Sequence, residues 1–197
     1  MATILTLAGS VRTHSYNRRL IDTATKQLQR SHPHLQLRPA PVAIDDLAYF
    51  VADIEAAGAP DNVTAFKQAI EGSDGLLIAT PEYNGNIPGV LKNALDWASR
   101  PAGHSPLDGL PVAVMSASPS SFGAQTARAA LLSVLIASGA HPLPTPAVSV
   151  SRVHQLPVAD DDTLTLTPDI TAAINQLGHL FTQAVNSDRP TRGRGAA

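Results

Sequence analysis

Short apolar runs of strand length alternate along this chain with stretches in which apolar residues recur at three- and four-residue spacing. That alternation limits the possible folds more than any other feature of the sequence. Residues 2–8 (ATILTLA) read as a buried strand. Leu20, Ile21, Ala24 and Leu28 then place a helical stripe between Ser15 and about Arg30. Leu35–Leu37 is a short strand candidate, and residues 39–60 read as irregular, with Pro39, Pro41, Gly58 and Pro60. Asp61 or Asn62 caps a helix carrying Val63, Phe66 and Ile70, which stops near Gly72. DGLLIAT (74–80) is a strand, and Pro88 opens a helix with Leu91, Ala94, Leu95 and Ala98 along one side. LPVAVMSA (110–117) is a further strand. Ala127, Ala130, Leu131, Val134 and Leu135 mark the next helix, which ends at Gly139. AVSV (147–150) is the last strand, and Thr167-Pro168 opens a final helix with Ile170, Ala173, Ile174, Leu177 and Phe181.

The order is βαβαβαβαβα. Strands that are apolar on both faces belong in a parallel sheet covered by helices on both sides. The expected fold class is therefore α/β, a flavodoxin-like three-layer sandwich around a five-stranded parallel sheet of order 2-1-3-4-5. In that order the switch point lies between strands 1 and 3, and ligands sit outside the carboxyl ends of those strands. The loop after strand 1 (9–17) and the loop after strand 3 (80–88) are expected to face one crevice. A single domain is expected over residues 1–187, with 188–197 a disordered tail that lacks any apolar period.

Composition narrows the partners. A net charge of −2 over 197 residues provides no field that favours nucleic acid or an anionic membrane. No apolar run reaches the roughly 18–20 residues that span a bilayer. The opening MATILTLAGS lacks a basic segment and already reads as a strand, so no signal peptide is expected and a cytoplasmic protein fits. The chain has no cysteine, which removes disulfides, iron–sulfur clusters, thiolate zinc sites and cysteine nucleophiles.

The first loop, GSVRTHSYN, matches neither the dinucleotide pattern G-x-G-x-x-G nor the nucleoside-triphosphate pattern G-x-x-x-x-G-K-[ST]. It offers Gly9, Ser10, Arg12, Thr13, Ser15 and Asn17 just ahead of a helix. Free N–H groups at a helix start attract anions, hydroxyls donate hydrogen bonds and arginine supplies charge. The set suits a compact phosphate monoester. It is equally compatible with Ser15 as an ordinary N-cap and Arg12 as a solvated surface residue. The second loop, TPEYNGNIPGVLKNALDWASR (80–100), pairs exposed turn amides with Tyr83, a flat apolar face with a polar tip. Exposed amides beside an aromatic suit a planar heterocycle. The alternative is a well-formed turn with Tyr83 packed in the core. Glu82 reads as a structural hydrogen-bonding partner or interface charge more readily than as a catalytic group.

At these two stretches the sequence resembles the NAD(P)H-dependent FMN reductases of the flavodoxin-like fold, a group that includes quinone, azo-dye and chromate reductases. The pattern G-S-x-R-x-x-S-x-N is matched by Gly9, Ser10, Arg12, Ser15 and Asn17. The pattern P-E-Y-N-x-S-x-P-G-x-L-K-N-A-x-D-W is matched from Pro81 to Trp97, with Asn86 in place of the serine. A third element, a loop and helix closing at Ser138-Gly139-Ala140, keeps Gly123 and Gln125 but carries Ser120, Ser121 and Phe122 where glycines are usual. The resemblance implies FMN, its phosphate held by Ser10, Arg12, Ser15, Tyr16 (through its amide) and Asn17. The flavin ring would lie on Pro81, Glu82, Tyr83, Asn84 and Gly85, closed on its other side by residues from Ser116 through Ser118 to Gly123. It further implies hydride transfer from NADPH or NADH to the bound FMN. Two electrons would then pass, by a ping-pong mechanism, to a quinone, free flavin, azo compound or metal oxyanion. No side chain need act as a general acid or base. A homodimer or homotetramer is expected from the same resemblance. An FMN-binding electron carrier and a flavin-free interaction module are the alternatives.

The remaining candidates carry less. The histidines are scattered, and His32 and His34 lack a carboxylate at ligand spacing, so no metal site is expected. Asp45, Asp46 and Asp160–Asp162 read as solvated turns. Trp97 is either a core residue or, with Lys92, Asn93 and Asp96, part of a subunit interface. Arg100 and Arg128 are candidates for a dinucleotide phosphate.

Overall fold

The apolar runs pair as parallel strands. A computed structural model describes residues 1–144 and 146–187; the tail expected at 188–197 lies outside the described residues. In chain order the elements are β1 (Ala2–Ala8), α1 (Tyr16–Ser31), β2 (Leu35–Pro39), α2 (Ala52–Ala57), α3 (Asp61–Glu71), β3 (Gly75–Thr80) and α4 (Gly89–Ala98). They continue with β4 (Pro111–Ala117), α5 (Gln125–Ala137), β5 (His141–Pro142), β6 (Val148–Val150) and α6 (Pro168–Asn186). The sheet runs β2-β1-β3-β4-β5, with β6 also on β4. This is the expected flavodoxin-like order, with β1 and β3 adjacent and in parallel register from Ile4 opposite Gly75 to Ala8 opposite Ala79.

Alternate residues of the strands feed two cores. Leu5, Leu7, Leu76 and Ile78 pack with Val63, Phe66, Leu91, Trp97, Leu131 and Leu135 from α3, α4 and α5. On the other face Ile4, Leu77 and Met115 meet Leu20, Leu28, Ile174 and Phe181 from α1 and α6. Each such side chain, removed from water, contributes ~1.5–3 kcal/mol, and this burial is what holds the central strands in place. No helix among the described residues is long and apolar enough to cross a membrane.

Three expectations need correction. The fifth strand is not the single run 147–150. It is split into β5, which pairs the start of β4 at Pro111 and Val112, and β6, which pairs its end from Met115 to Ala117. Prolines at 142, 144 and 146 lack the N–H needed for a continuous ladder. The segment 39–60 contains the short helix α2 and is pinned to α4. Asn93 accepts from the Phe50 amide at 2.8 Å, and the Trp97 indole donates to the Ala48 carbonyl at 2.7 Å. Trp97 is thus a core residue, fully buried. Finally, the residue preceding α3 is Pro60; Asp61 sits inside the first turn, where its charge complements the helix dipole.

Where α1 meets α6, the His32 ring lies so close to Gly178 that a Cβ there would sit 2.6 Å from it. Its Nδ1 faces the Ser31 hydroxyl at 2.9 Å and its Nε2 faces His179 Nδ1 at 3.3 Å. Burial, with His179 and His34 close by, holds its pKa below the ordinary imidazole value. Below about pH 6.5 the unfolded chain therefore takes up a proton that the folded chain refuses. Unfolding free energy is expected to fall as pH drops from 7 towards 5, with a shallower slope in His32→Gln. Chemical denaturation across that range checks it, and identical slopes count against the assignment.

Candidate functional site

The switch point is closed by one tight contact. The Gly9 amide donates to the Ala79 carbonyl at 2.8 Å, extending the β1–β3 pairing past the end of β1. A Cβ at Gly9 would lie 2.7 Å from Leu91 Cδ2 and 3.3 Å from that carbonyl, so only glycine fits without displacement. Beyond it the chain turns outward over α1. Ser15 caps that helix, its Oγ accepting from the Arg18 amide at 3.3 Å. The hydroxyl proton remains free to donate, so the capping role and a ligand role are compatible.

Ser10, Arg12, Ser15, Tyr16, Asn17, Pro81, Glu82, Tyr83 and Ser118 come together around one small crevice of about 80 Å³. Ala117 and Pro119 complete its wall. Both fall within the stretch from Ser116 to Gly123 expected on that side, although neither is singled out there. The Ser10 side chain is only 5% exposed, yet its hydroxyl has no partner among the described residues. The amides of residues 11–17 likewise meet no acceptor among the described residues, and the first turn of α1 carries no acidic side chain. A buried hydroxyl, an arginine and a row of free N–H groups at a helix start form a site for an anion.

A second hollow, of about 200 Å³, lies on the other side of Ser10. It is lined by Asp22 and Asp45 as well as Arg18. Burial holds the Asp22 carboxyl above its ordinary range, against the pull of Arg18 and Lys26. Carboxyl groups there disfavour an anion, so the donors on the Arg12 side of Ser10 suit an anion better.

Four expected site residues sit elsewhere than on the crevice wall. Asn84 and Gly85 form the tip of a two-residue hairpin closed by mutual hydrogen bonds between Tyr83 and Asn86, at 2.9 and 3.1 Å. Both have positive φ, 53° and 73°, the geometry that an Asn-Gly pair favours. Their amides point to no intramolecular acceptor among the described residues and stand exposed at the rim. Ser116 is fully buried and its hydroxyl donates to the Gly123 carbonyl at 2.7 Å, so this pair anchors the 118–123 loop from beneath. That loop carries its own turn: the Ser120 amide donates to the Ser118 hydroxyl at 3.1 Å, and Phe122 is left 71% exposed.

The Asn17 side chain does not face the anion site. Its Nδ2 donates to the Ala117 carbonyl at 3.0 Å and its Oδ1 accepts from the Ala117 amide at 2.9 Å. Asn17 thus ties the first loop to the end of β4, across the end of β3. Glu82 is similarly committed, its Oε2 accepting from the Ala127 amide of α5 at 3.1 Å. Tyr83 is half-exposed at the rim rather than packed in the core. Arg100 is held by Glu55 at 2.9 Å. Arg128 is partly buried on α5 and has no ion-pair partner among the described residues. No cluster of metal-ligating side chains occurs among the described residues.

Residues 2–155 match the family described as NADPH-dependent FMN reductase. The chain is 37% identical over 151 residues to an NAD(P)H-dependent FMN reductase of Pseudomonas aeruginosa, covering 77% of this chain and 78% of that protein. It is 40% identical over 133 residues to a quinone reductase of Pseudomonas putida, covering 68% and 69%. Among solved structures it is similar to FerB, a flavoenzyme NAD(P)H:(acceptor) oxidoreductase from Paracoccus denitrificans. That match has a TM-score of 0.79 and 32% identity, covering 94% of this chain and 97% of the other.

Replacing Asn17 by aspartate keeps one acceptor for the Ala117 amide but sets a carboxylate against the Ala117 carbonyl. The expected loss is ~1–3 kcal/mol of stability, read as a lower denaturation midpoint. An unchanged midpoint would show that the Ala117 contact carries no strain when broken.

Proposed function

The chain belongs to the NADPH-dependent FMN reductase family, and we propose that it holds FMN in the β1–β3 crevice and reduces small acceptors of the quinone type at the expense of NADPH or NADH. The observation that carries this reading is the buried, unpartnered Ser10 hydroxyl beside Arg12 and the free amides ahead of α1. Those donors fit one terminal phosphate. The lack of the dinucleotide glycines fits a mononucleotide held in place while the nicotinamide comes and goes.

When bound, FMN supplies the two-electron chemistry, accepting hydride from the nicotinamide and delivering electrons to the second acceptor. The chain supplies binding and orientation. Ser10, Arg12, Ser15 and the amides of residues 11–17 hold the phosphate. Pro81 and Tyr83 offer a flat floor to the ring, and the Asn84 and Gly85 amides at the hairpin tip are donors for its polar edge. Ser118 and Pro119 bound the opposite wall. Free flavin, azo compounds and metal oxyanions belong to the proposed acceptor range with quinones, because an open ring face selects weakly. Assembly as a homodimer or homotetramer is part of the proposal, supported by Tyr49, Val51 and Ile54, which are left exposed around α2.

Ser10→Ala combined with Arg12→Ala is expected to weaken FMN retention at least ~100-fold, the effect of losing two hydrogen bonds to a charged group. Quenching of FMN fluorescence on binding measures it, and unchanged retention would show that the phosphate lies elsewhere. Initial rates with NADPH and a quinone varied together are expected to give parallel double-reciprocal lines. Intersecting lines would replace the ping-pong scheme by a ternary complex.

A further inference from the structure

Glu82 is the only carboxylate among the residues lining the crevice. A bare carboxylate there would repel a flavin ring gaining negative charge. Its Oε2 instead accepts from the Ala127 amide, 45 residues away, at 3.1 Å. Helix α5 has no cap of its own. Ala124 precedes it with φ 61°, no side chain bonds its first amides from that position, and its first turn contains no acidic residue. Ala127 is fully buried, so with Glu82 in place its amide is shielded from water and has the carboxylate as its partner. Glu82 therefore supplies from the β3 loop the cap that α5 lacks, and the positive end of the helix offsets the carboxylate's charge.

The consequence is mechanical as well as electrostatic. The hairpin that presents Tyr83, Asn84 and Gly85 is fastened to α5. The start of α5 follows directly on the loop that Ser116 anchors through the Gly123 carbonyl at 2.7 Å. The ring-side wall and the far wall of the crevice are thus joined through one carboxylate. We propose that Glu82 is a positioning residue: by capping α5 it sets the separation of the two walls, and by being neutralised there it fixes the electrostatic potential at the ring. The proposal rests on the reading of the crevice as an FMN site.

The test compares wild type, Glu82→Gln and Glu82→Ala by three measurements. These are hydrogen exchange at the Ala127 amide in flavin-free protein, FMN affinity by fluorescence quenching, and the midpoint potential of bound FMN. Glu82→Ala is expected to lose protection at Ala127 and to bind FMN ~10-fold more weakly, the loss of one charge-assisted bond. Glu82→Gln keeps an oxygen acceptor. It is expected to restore most of the protection and affinity while moving the potential to a more positive value, because the helix end is no longer offset. Glu82→Ala that weakens FMN while Ala127 stays protected would overturn the proposal, since Glu82 would then act by direct contact. Unchanged affinity and potential in both variants would overturn it as well. If wild type binds no FMN while Ala127 protection still depends on Glu82, the FMN reading fails and the capping role stands.

Discussion

Everything at the carboxyl edge of the sheet depends on how closely β1 and β3 approach where the strand order reverses. The hydrogen bond from Gly9 to the Ala79 carbonyl continues their ladder one residue beyond β1, and Leu91 closes the space a side chain at position 9 would need. From the two strand ends held this near, one loop leads into α1 and the other folds into a hairpin, and residues of both line one crevice. An alanine at position 9 would have to move Leu91 or the Ala79 carbonyl, one residue from the start of each crevice-lining loop.

The crevice is chemically two-ended. One end is polar and rich in donors: Ser10, Ser15, Arg12 and unpaired amides. The other is a flat rim of Pro81 and Tyr83 with a tight hairpin at its edge. Two side chains of the crevice wall bond backbone elsewhere in the fold. Asn17 clamps Ala117 by a donor and an acceptor together, and Glu82 caps α5.

The architecture was legible because buried parallel strands leave an unbroken apolar signature, and β1, β3 and β4 fall within a residue of their expected bounds. So was the crevice, since strand order alone brings residues 9–17 and 80–88 together. What was not legible depends on contacts distant in sequence. Asn17 sits in a phosphate-loop pattern, and nothing local says that its amide turns towards a backbone 100 residues away. Glu82 reads as a lone turn charge until α5 is placed beside it without a cap. The divided fifth strand escaped because AVSV has the right composition, while the prolines before it only later prove to leave a gap in a ladder that resumes on the same neighbour. The turn after β3 was expected with exposed amides, but its form, a two-residue Asn84-Gly85 hairpin tip, was not read from the sequence.

If the donor end of the crevice anchors a phosphate, as proposed, the flavin it holds is a mononucleotide. Comparing the dissociation constants of FMN and riboflavin by fluorescence quenching tests this directly, because the two ligands differ only by that phosphate. FMN is expected to bind at least ~100-fold tighter, the worth of two charge-assisted bonds to the phosphate. Equal affinities would contradict it.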